Sequence, residues 1–218
     1  MPKREDPGRP VVTRREQART RLAKAAVVDA ARHLFVERGY GATTIDAISE
    51  HAGVPPATVY RLFSSKHGIL KSLLDVSIAG DDEDVPMAQR PHVRSLLAAS
   101  DPGAQLAGFV AVAVDVNRRV APIHRVLLGA AEVDPEPAAL LGELTRQRQE
   151  GQRMIARSLA GAGALRPGLT EGDAADVIHA LLSPELYRLL VVDRSWKLDR
   201  YERWLAATLT EQLLPANG

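Results

Sequence analysis

The sequence predicts an all-α chain, with a short N-terminal unit of three helices followed by a longer helical region. Two observations carry that prediction. Apolar residues recur at helical spacing along the periodic stretches of the 218 residues, and nothing beyond the first third reads as strand. Near the N-terminus, two short amphipathic stretches flank the tight turn Ala52-Gly53-Val54, which is the arrangement of a helix-turn-helix.

Residues 1–18 hold Pro, Arg and acidic residues without apolar periodicity and read as a flexible basic arm. From about residue 20, Val27, Ala30, Ala31, Leu34 and Phe35 share one helical face, and Gly39 supplies the stop. Thr44 reads as the N-cap of a short helix that turns Ile45, Ile48 and Ala52 inward. Gly53 gives the following turn its backbone freedom. The next helix opens at Pro55-Pro56, where Pro56 suits the first helical position, and buries Val59, Leu62 and Phe63. A fourth helix, about 66–79, presents Leu70, Leu73, Leu74 and Ile78 inward. Asp81-Asp82-Glu83-Asp84, with Pro86 and Pro91 following, marks a loop or domain boundary. Helices are then expected near 92–99, 103–119, 121–133, 136–161, 171–193 and 198–214, with Pro184 kinking the fifth of these. No repeat of 20–50 residues is visible, which argues against a solenoid.

Composition narrows the function. Hydrophobic content of 45% and charged content of 25% are those of an ordinary globular chain. The absence of cysteine excludes disulfides, thiolate zinc sites and thiol nucleophiles. The start carries no apolar segment of the secretory type, and the longest apolar run, Leu106–Val114, is too short to cross a bilayer. A cytoplasmic protein with no membrane partner is expected. The net charge of +1 hides an asymmetry: residues 1–70 hold 12 Lys and Arg against 7 Asp and Glu, and the remainder holds 16 against 20. A basic first third suits attraction to phosphate, and an acidic remainder suits exclusion from it. The six histidines show no His-Glu-x-x-His or other close ligand spacing. Neither a glycine-rich phosphate loop nor a nucleophile elbow is present, so no enzyme, cofactor or metal is expected.

Over residues 23–74 the chain resembles the TetR (tetracycline-repressor) family. The resemblance rests on Lys24, Val27, Ala30-Ala31, Leu34-Phe35, Gly39-Tyr40, Thr43-Thr44, Ile48, Ala52-Gly53-Val54, Thr58, Tyr60, Phe63 and Lys66. It implies a flexible arm (1–18), a helix-turn-helix DNA-binding unit (19–66) and a helical ligand-binding and dimerisation unit (67–218). It further implies a homodimer that binds a near-palindromic operator and leaves it when a small-molecule effector binds.

In the second helix of the motif, Ala57, Thr58 and Arg61 are placed toward the groove. Arg61 suits a bidentate contact to guanine, and Thr58 a contact to a base edge. The resemblance sends the Tyr60 phenol to phosphate, and Thr43, Thr44, Lys24 and Lys66 complete the expected contact set. Pro55 stands where many relatives have Ser or Thr; lacking N–H and hydroxyl, it is limited to apolar contact, as with a thymine methyl. The arm residues Lys3, Arg4, Arg9, Arg14, Arg15, Arg19 and Arg21 leave two readings open, a DNA-tracking arm and a solvated tail.

An effector cavity is expected among helices 103–161, with Phe109, Val112, Val116, His124, Leu128, Met154 and His179 in its wall. Each is also an ordinary core residue by type. Scarce aromatics, 4% of the chain, disfavour a large stacked planar effector. The last two long helices carry the expected dimer stripe: Val177, Ile178, Leu181, Leu182 and Leu189, with Tyr201, Trp204, Leu205 and Thr208. Two rival readings are an architectural DNA-binding protein indifferent to sequence, and a helical enzyme or carrier with a vestigial helix-turn-helix.

Overall fold

A computed structural model describes residues 14–81, 83, 85 and 87–216. Among the described residues there is no strand. The helices are α1 (Arg14–Arg38), α2 (Ile45–Ala52), α3 (Pro56–Phe63), α4 (Lys66–Ala79), α5 (Pro91–Leu97), α6 (Pro102–Ala131), α7 (Pro135–Gly161), α8 (Glu171–Leu181), α9 (Pro184–Tyr187) and α10 (Leu198–Leu213). A 3₁₀ turn at Met87–Gln89 precedes α5, and a π-helical turn at Arg188–Asp193 follows α9. Polar caps fix most of the helix starts. Asp101, Asp134 and Ser183 accept backbone N–H groups at α6, α7 and α9, and Thr170 and Asp173 form a reciprocal capping box at α8.

Three expectations need correction. The first helix begins at Arg14, so residues 14–18, expected in the arm, are helical, with Glu16 placed favourably in the first turn. The arm residues Lys3, Arg4 and Arg9 lie outside the described residues, as do Asp82, Asp84 and Pro86 of the expected loop.

Second, the break expected at Ala121-Pro122 is absent, and α6 runs unbroken through Pro122. A proline inside a helix costs about 3 kcal/mol. Here Val120, Ala121, Ile123 and Leu127 are buried around it, and their packing offsets that cost.

Third, the kinked helix expected over 171–193 is not one helix. It ends at Leu181, and a new one starts with Pro184 in its first turn and Ser183 as cap, Ser183 Oγ accepting from Leu186 N at 3.1 Å. The Asn117 side chain reaches across from α6 and donates to Leu182 O at 3.1 Å, satisfying a carbonyl at the break.

The apolar side chains form two cores. The first joins Val27, Leu34 and Phe35 of α1, Ile48 of α2, Val59 and Phe63 of α3, and Ile69, Leu70, Leu73 and Leu74 of α4. Ile123 and Leu127 of α6 and Leu140 of α7 complete it. The helix expected to open the second unit is therefore built into the core of the first. The second core joins Leu106, Val110 and Val114 of α6, Ile155 and Leu159 of α7, Ile178 of α8, and Tyr201, Leu205 and Leu209 of α10.

Candidate nucleic-acid interface and effector cavity

The turn between α2 and α3 is closed by backbone geometry that the sequence permits at one residue. Gly53 adopts φ +62°, the left-handed region where glycine carries no penalty. Its N–H donates to Glu50 O at 3.2 Å and the Val54 N–H to Ser49 O at 3.1 Å, the paired bonds of a Schellman ending. Val54 is buried, and its carbonyl accepts from the buried Ser49 hydroxyl. α3 then starts on Pro55, whose carbonyl accepts from Thr58 N at 2.9 Å and Val59 N at 3.1 Å. Val59 and Phe63 anchor α3 in the core. That anchoring leaves Pro55, Ala57, Tyr60 and Arg61 exposed and Thr58 half-buried. Lys24 of α1 and Thr44 are exposed as well, and Thr44 Oγ1 accepts from Ala47 N at 3.1 Å as an N-cap.

Two of the expected DNA contacts have other partners. Thr43 is 1% exposed, and its hydroxyl, 2.8 Å from Gly39 O and 3.3 Å from Leu34 O, closes the end of α1. It is a loop-fastening residue. Lys66 extends its ammonium into the α1–α2 loop, donating to Tyr40 O at 2.8 Å and Thr43 O at 3.0 Å, above the Tyr40 ring. Burial lowers the proton affinity of this ammonium, which Asp134 partly restores. Burial, with Asp134 and Glu136, raises the Tyr40 phenol to about 12, so it stays neutral beside the lysine. Spacing could not reveal either arrangement, because both depend on the path of the α1–α2 loop, against the end of α1 for Thr43 and against α4 for Lys66.

A cavity of about 970 Å³ opens among α4, α5, α6, α7 and α9. Such a volume lies at the upper end of small-molecule sites. Phe109, Val112, Val116, His124, Leu128 and Met154 all line it, as expected. His179 does not. It stands behind the wall, its Nδ1 2.7 Å from Gln152 Oε1 and its Nε2 3.0 Å from an Arg148 nitrogen. Gln152, Arg148 and Asn117, which do line the cavity, were missed because on the sequence they sit among ordinary polar helix positions. Among the described residues, no three His, Asp or Glu side chains converge to hold a metal.

Burial lowers the pKa of both His124 and His179 from the usual 6.5, and Arg148 lowers both further. Glu185, 3.9 Å from His124, opposes this at both rings, and Asp176 also opposes it at His179. The unfolded chain takes up these protons near pH 6.5 and the folded chain only at lower pH, so acid favours unfolding. Their stabilising effect is complete above about pH 6.5 and is lost as pH falls through the folded values. Melting at about pH 7.5 and 5.5 should show a lower Tm in acid, by about 2–4 °C per kcal/mol lost. The drop should shrink in a His124→Gln/His179→Gln variant; an equal drop in that variant would place the effect elsewhere.

The cavity and the first core are tied at the end of α4. Ile78 of α4 lines the cavity. Its neighbour Ser77 is buried, and Arg32 of α1 donates to Ser77 Oγ at 2.8 Å and to Arg119 O at 3.4 Å. Arg119 of α6 donates in turn to Ser77 O at 2.7 Å and Ile78 O at 3.1 Å, while pairing with Asp115. No sequence motif marks this cluster.

The dimer stripe divides. Ile178, Leu182, Tyr201 and Leu205 are buried within the single chain and belong to its second core, so they offer no surface to a partner. Val177, Leu181, Trp204 and Thr208 are partly exposed, and Leu189 is 47% exposed.

Residues 27–73 match the family model described as bacterial regulatory proteins, tetR family. The matched stretch is a TetR-family helix-turn-helix unit. Among curated relatives, the uncharacterized HTH-type transcriptional regulator YdeS of Bacillus subtilis is 27% identical over 184 residues, 82% of this chain and 84% of that one. YvkB of the same organism, also an uncharacterized HTH-type transcriptional regulator, is 46% identical over 48 residues, 22% of this chain and 25% of that one. In fold, the chain matches NalD, the secondary repressor of the MexAB-OprM multidrug efflux pump in Pseudomonas aeruginosa. That match has a TM-score of 0.70 at 19% identity and covers 92% of this chain and all of that one. The TetR-family assignment makes the helix-turn-helix a DNA-binding element and the chain a transcriptional regulator. Among the described residues, no helix is long and apolar enough to cross a membrane.

Proposed function

We propose that this regulator is a homodimeric repressor that holds a near-palindromic operator and releases it when a small molecule fills the cavity. Residues 19–66 serve as the DNA-binding unit and 67–218 as the ligand-binding and dimerisation unit. The observation that carries the reading is α4 itself: its buried face belongs to the core that seats α3, and its last turn supplies Ile78 to the cavity wall. A ligand pressing on Ile78 moves the end of a helix held by Arg32 and Arg119. Any resulting tilt changes the separation of the two α3 helices, which must meet grooves about 34–36 Å apart. A coupling of about 1–3 kcal/mol weakens operator binding by roughly 5–150-fold. Operator contacts come from Ala57, Thr58, Tyr60 and Arg61 on α3, with Pro55, Thr44 and Lys24 beside them. Val177, Leu181, Leu189, Trp204 and Thr208 are the exposed part of the dimer face.

Selection of bound duplexes from a random pool, at physiological salt, tests the reading. A near-palindromic motif supports it. Retained affinity without a motif favours the architectural alternative, and no retained DNA overturns both. With the operator known, Arg119→Met should leave DNA binding in place while reducing effector-driven release, because the end of α4 loses two of its donors. Unchanged release in that variant would remove Arg119 from the coupling.

A further inference from the structure

The cavity wall carries a guanidinium that no anion meets. Arg148 of α7 lines the cavity, and one of its nitrogens, Nη2, lies 3.0 Å from His179 Nε2. A glutamine Oε1 only accepts, so His179 donates from Nδ1 to Gln152, and its Nε2 keeps the lone pair that takes the Arg148 N–H. The histidine is thus neutral and cannot offset the charge. The other terminal nitrogen, Nη1, is buried with no hydrogen-bond partner. Among the described residues no carboxylate forms an ion pair with Arg148; Glu185, whose field reaches it, is exposed and faces His124. Of the other charged lining groups, Glu150 and Arg153 are exposed, and Arg157 is exposed and paired with Glu171 at 3.4 Å. A half-buried cation with no counterion and one buried, unused donor is costly, and a ligand carboxylate is the group that relieves it.

Most of the remaining wall is apolar, with Asn117, His124, Thr145, Gln147 and Gln152 its uncharged polar members. Val112, Val116, Val120, Leu128 and Leu144 face the space, and Phe109 is the only Phe, Tyr or Trp among the lining residues. Resting on the reading of this cavity as the effector site, we propose that it takes an amphipathic organic anion, an aliphatic carboxylate whose head group meets Arg148 and whose chain lies along the α6 valines. Recognition is by charge at one end and by apolar burial along the rest.

Three probes that share one alkyl chain test this with the full-length protein: decanoate, decanol and decyltrimethylammonium, each titrated by calorimetry below its micellar concentration. Decanoate should bind tightest. Arg148→Met should weaken decanoate by about 10–100-fold, the value of charge-assisted hydrogen bonds, and leave decanol unchanged. Unliganded, the variant should melt close to the parent, because removing a half-buried charge with no counterion offsets the lost bond to His179, so lost binding would not reflect lost fold. Equal binding of decanol or the ammonium probe, or undiminished decanoate binding by Arg148→Met, overturns the proposal. If one of those probes releases operator where decanoate does not, the effector cavity stands and the anion assignment falls. If none binds and none releases operator, both fall.

Discussion

Arg61→Ala is expected to weaken binding by about 1–3 kcal/mol per half-site of the selected operator and to relax base preference at one position of each half-site. The expectation follows from how α3 is held. Val59 and Phe63 fix its inner face in the first core, so the outer face is presented as a rigid surface. Arg61 is exposed on that surface, and among the described residues no hydrogen bond or ion pair occupies its guanidinium. Losing one such contact in each subunit of a dimer doubles the effect on the whole operator if the two half-sites act independently. Repeating the duplex selection with the variant reads both parts. An unchanged motif with unchanged affinity would show that Arg61 does not touch a base.

Lys66→Met is expected to lower the stability of the first core by about 1.5–3 kcal/mol, with a matching fall in Tm. The change removes one ammonium from the carbonyls of Tyr40 and Thr43 while keeping the apolar stem that packs beneath them. Because the ammonium is half-exposed, water takes up part of the loss, which favours the lower end of that range. DNA affinity should fall only as far as the folded fraction falls, with the salt dependence of binding unchanged. A phosphate-contacting lysine behaves differently: its loss lowers the salt slope by about one unit at unchanged Tm. Measuring both quantities on one variant separates the two roles, and a reduced slope with full stability would return Lys66 to the DNA surface.

The differing fates of the expected contacts have a common physical origin. The outward placement of Ala57 and Arg61 was legible because helical periodicity fixes which side of α3 faces away once Val59 and Phe63 are known to face in, whereas Tyr60 was assigned through the family resemblance. Thr43 and Lys66 sit where the chain changes direction, and there the partner of a polar group is set by the path of the loop. The same limit applies to Ile178, Leu182, Tyr201 and Leu205. A stripe on α8 and α10 shows that two apolar faces exist, but it carries no sign of whether the covering surface belongs to the same chain or to a second one. In this chain those four residues share the second core with residues of α6 and α7.

Local chemistry in the sequence by itself determined the all-α class, the helix-turn-helix with its glycine turn and the apolar face of each N-terminal helix. Spacing, caps and Gly53 act within a few residues, and they yield the same answer in any tertiary context. It also named six residues that line the cavity, five of them apolar positions on α6 and α7 that had to face something. Only the tertiary structure decided that α6 runs through Pro122 and that the chain restarts at Pro184. It alone placed Arg148 in the cavity wall without a counterion and made the end of α4 the junction of Arg32 and Arg119. Each of these sets a local preference worth a few kcal/mol against burial and hydrogen bonds supplied by residues tens of positions away.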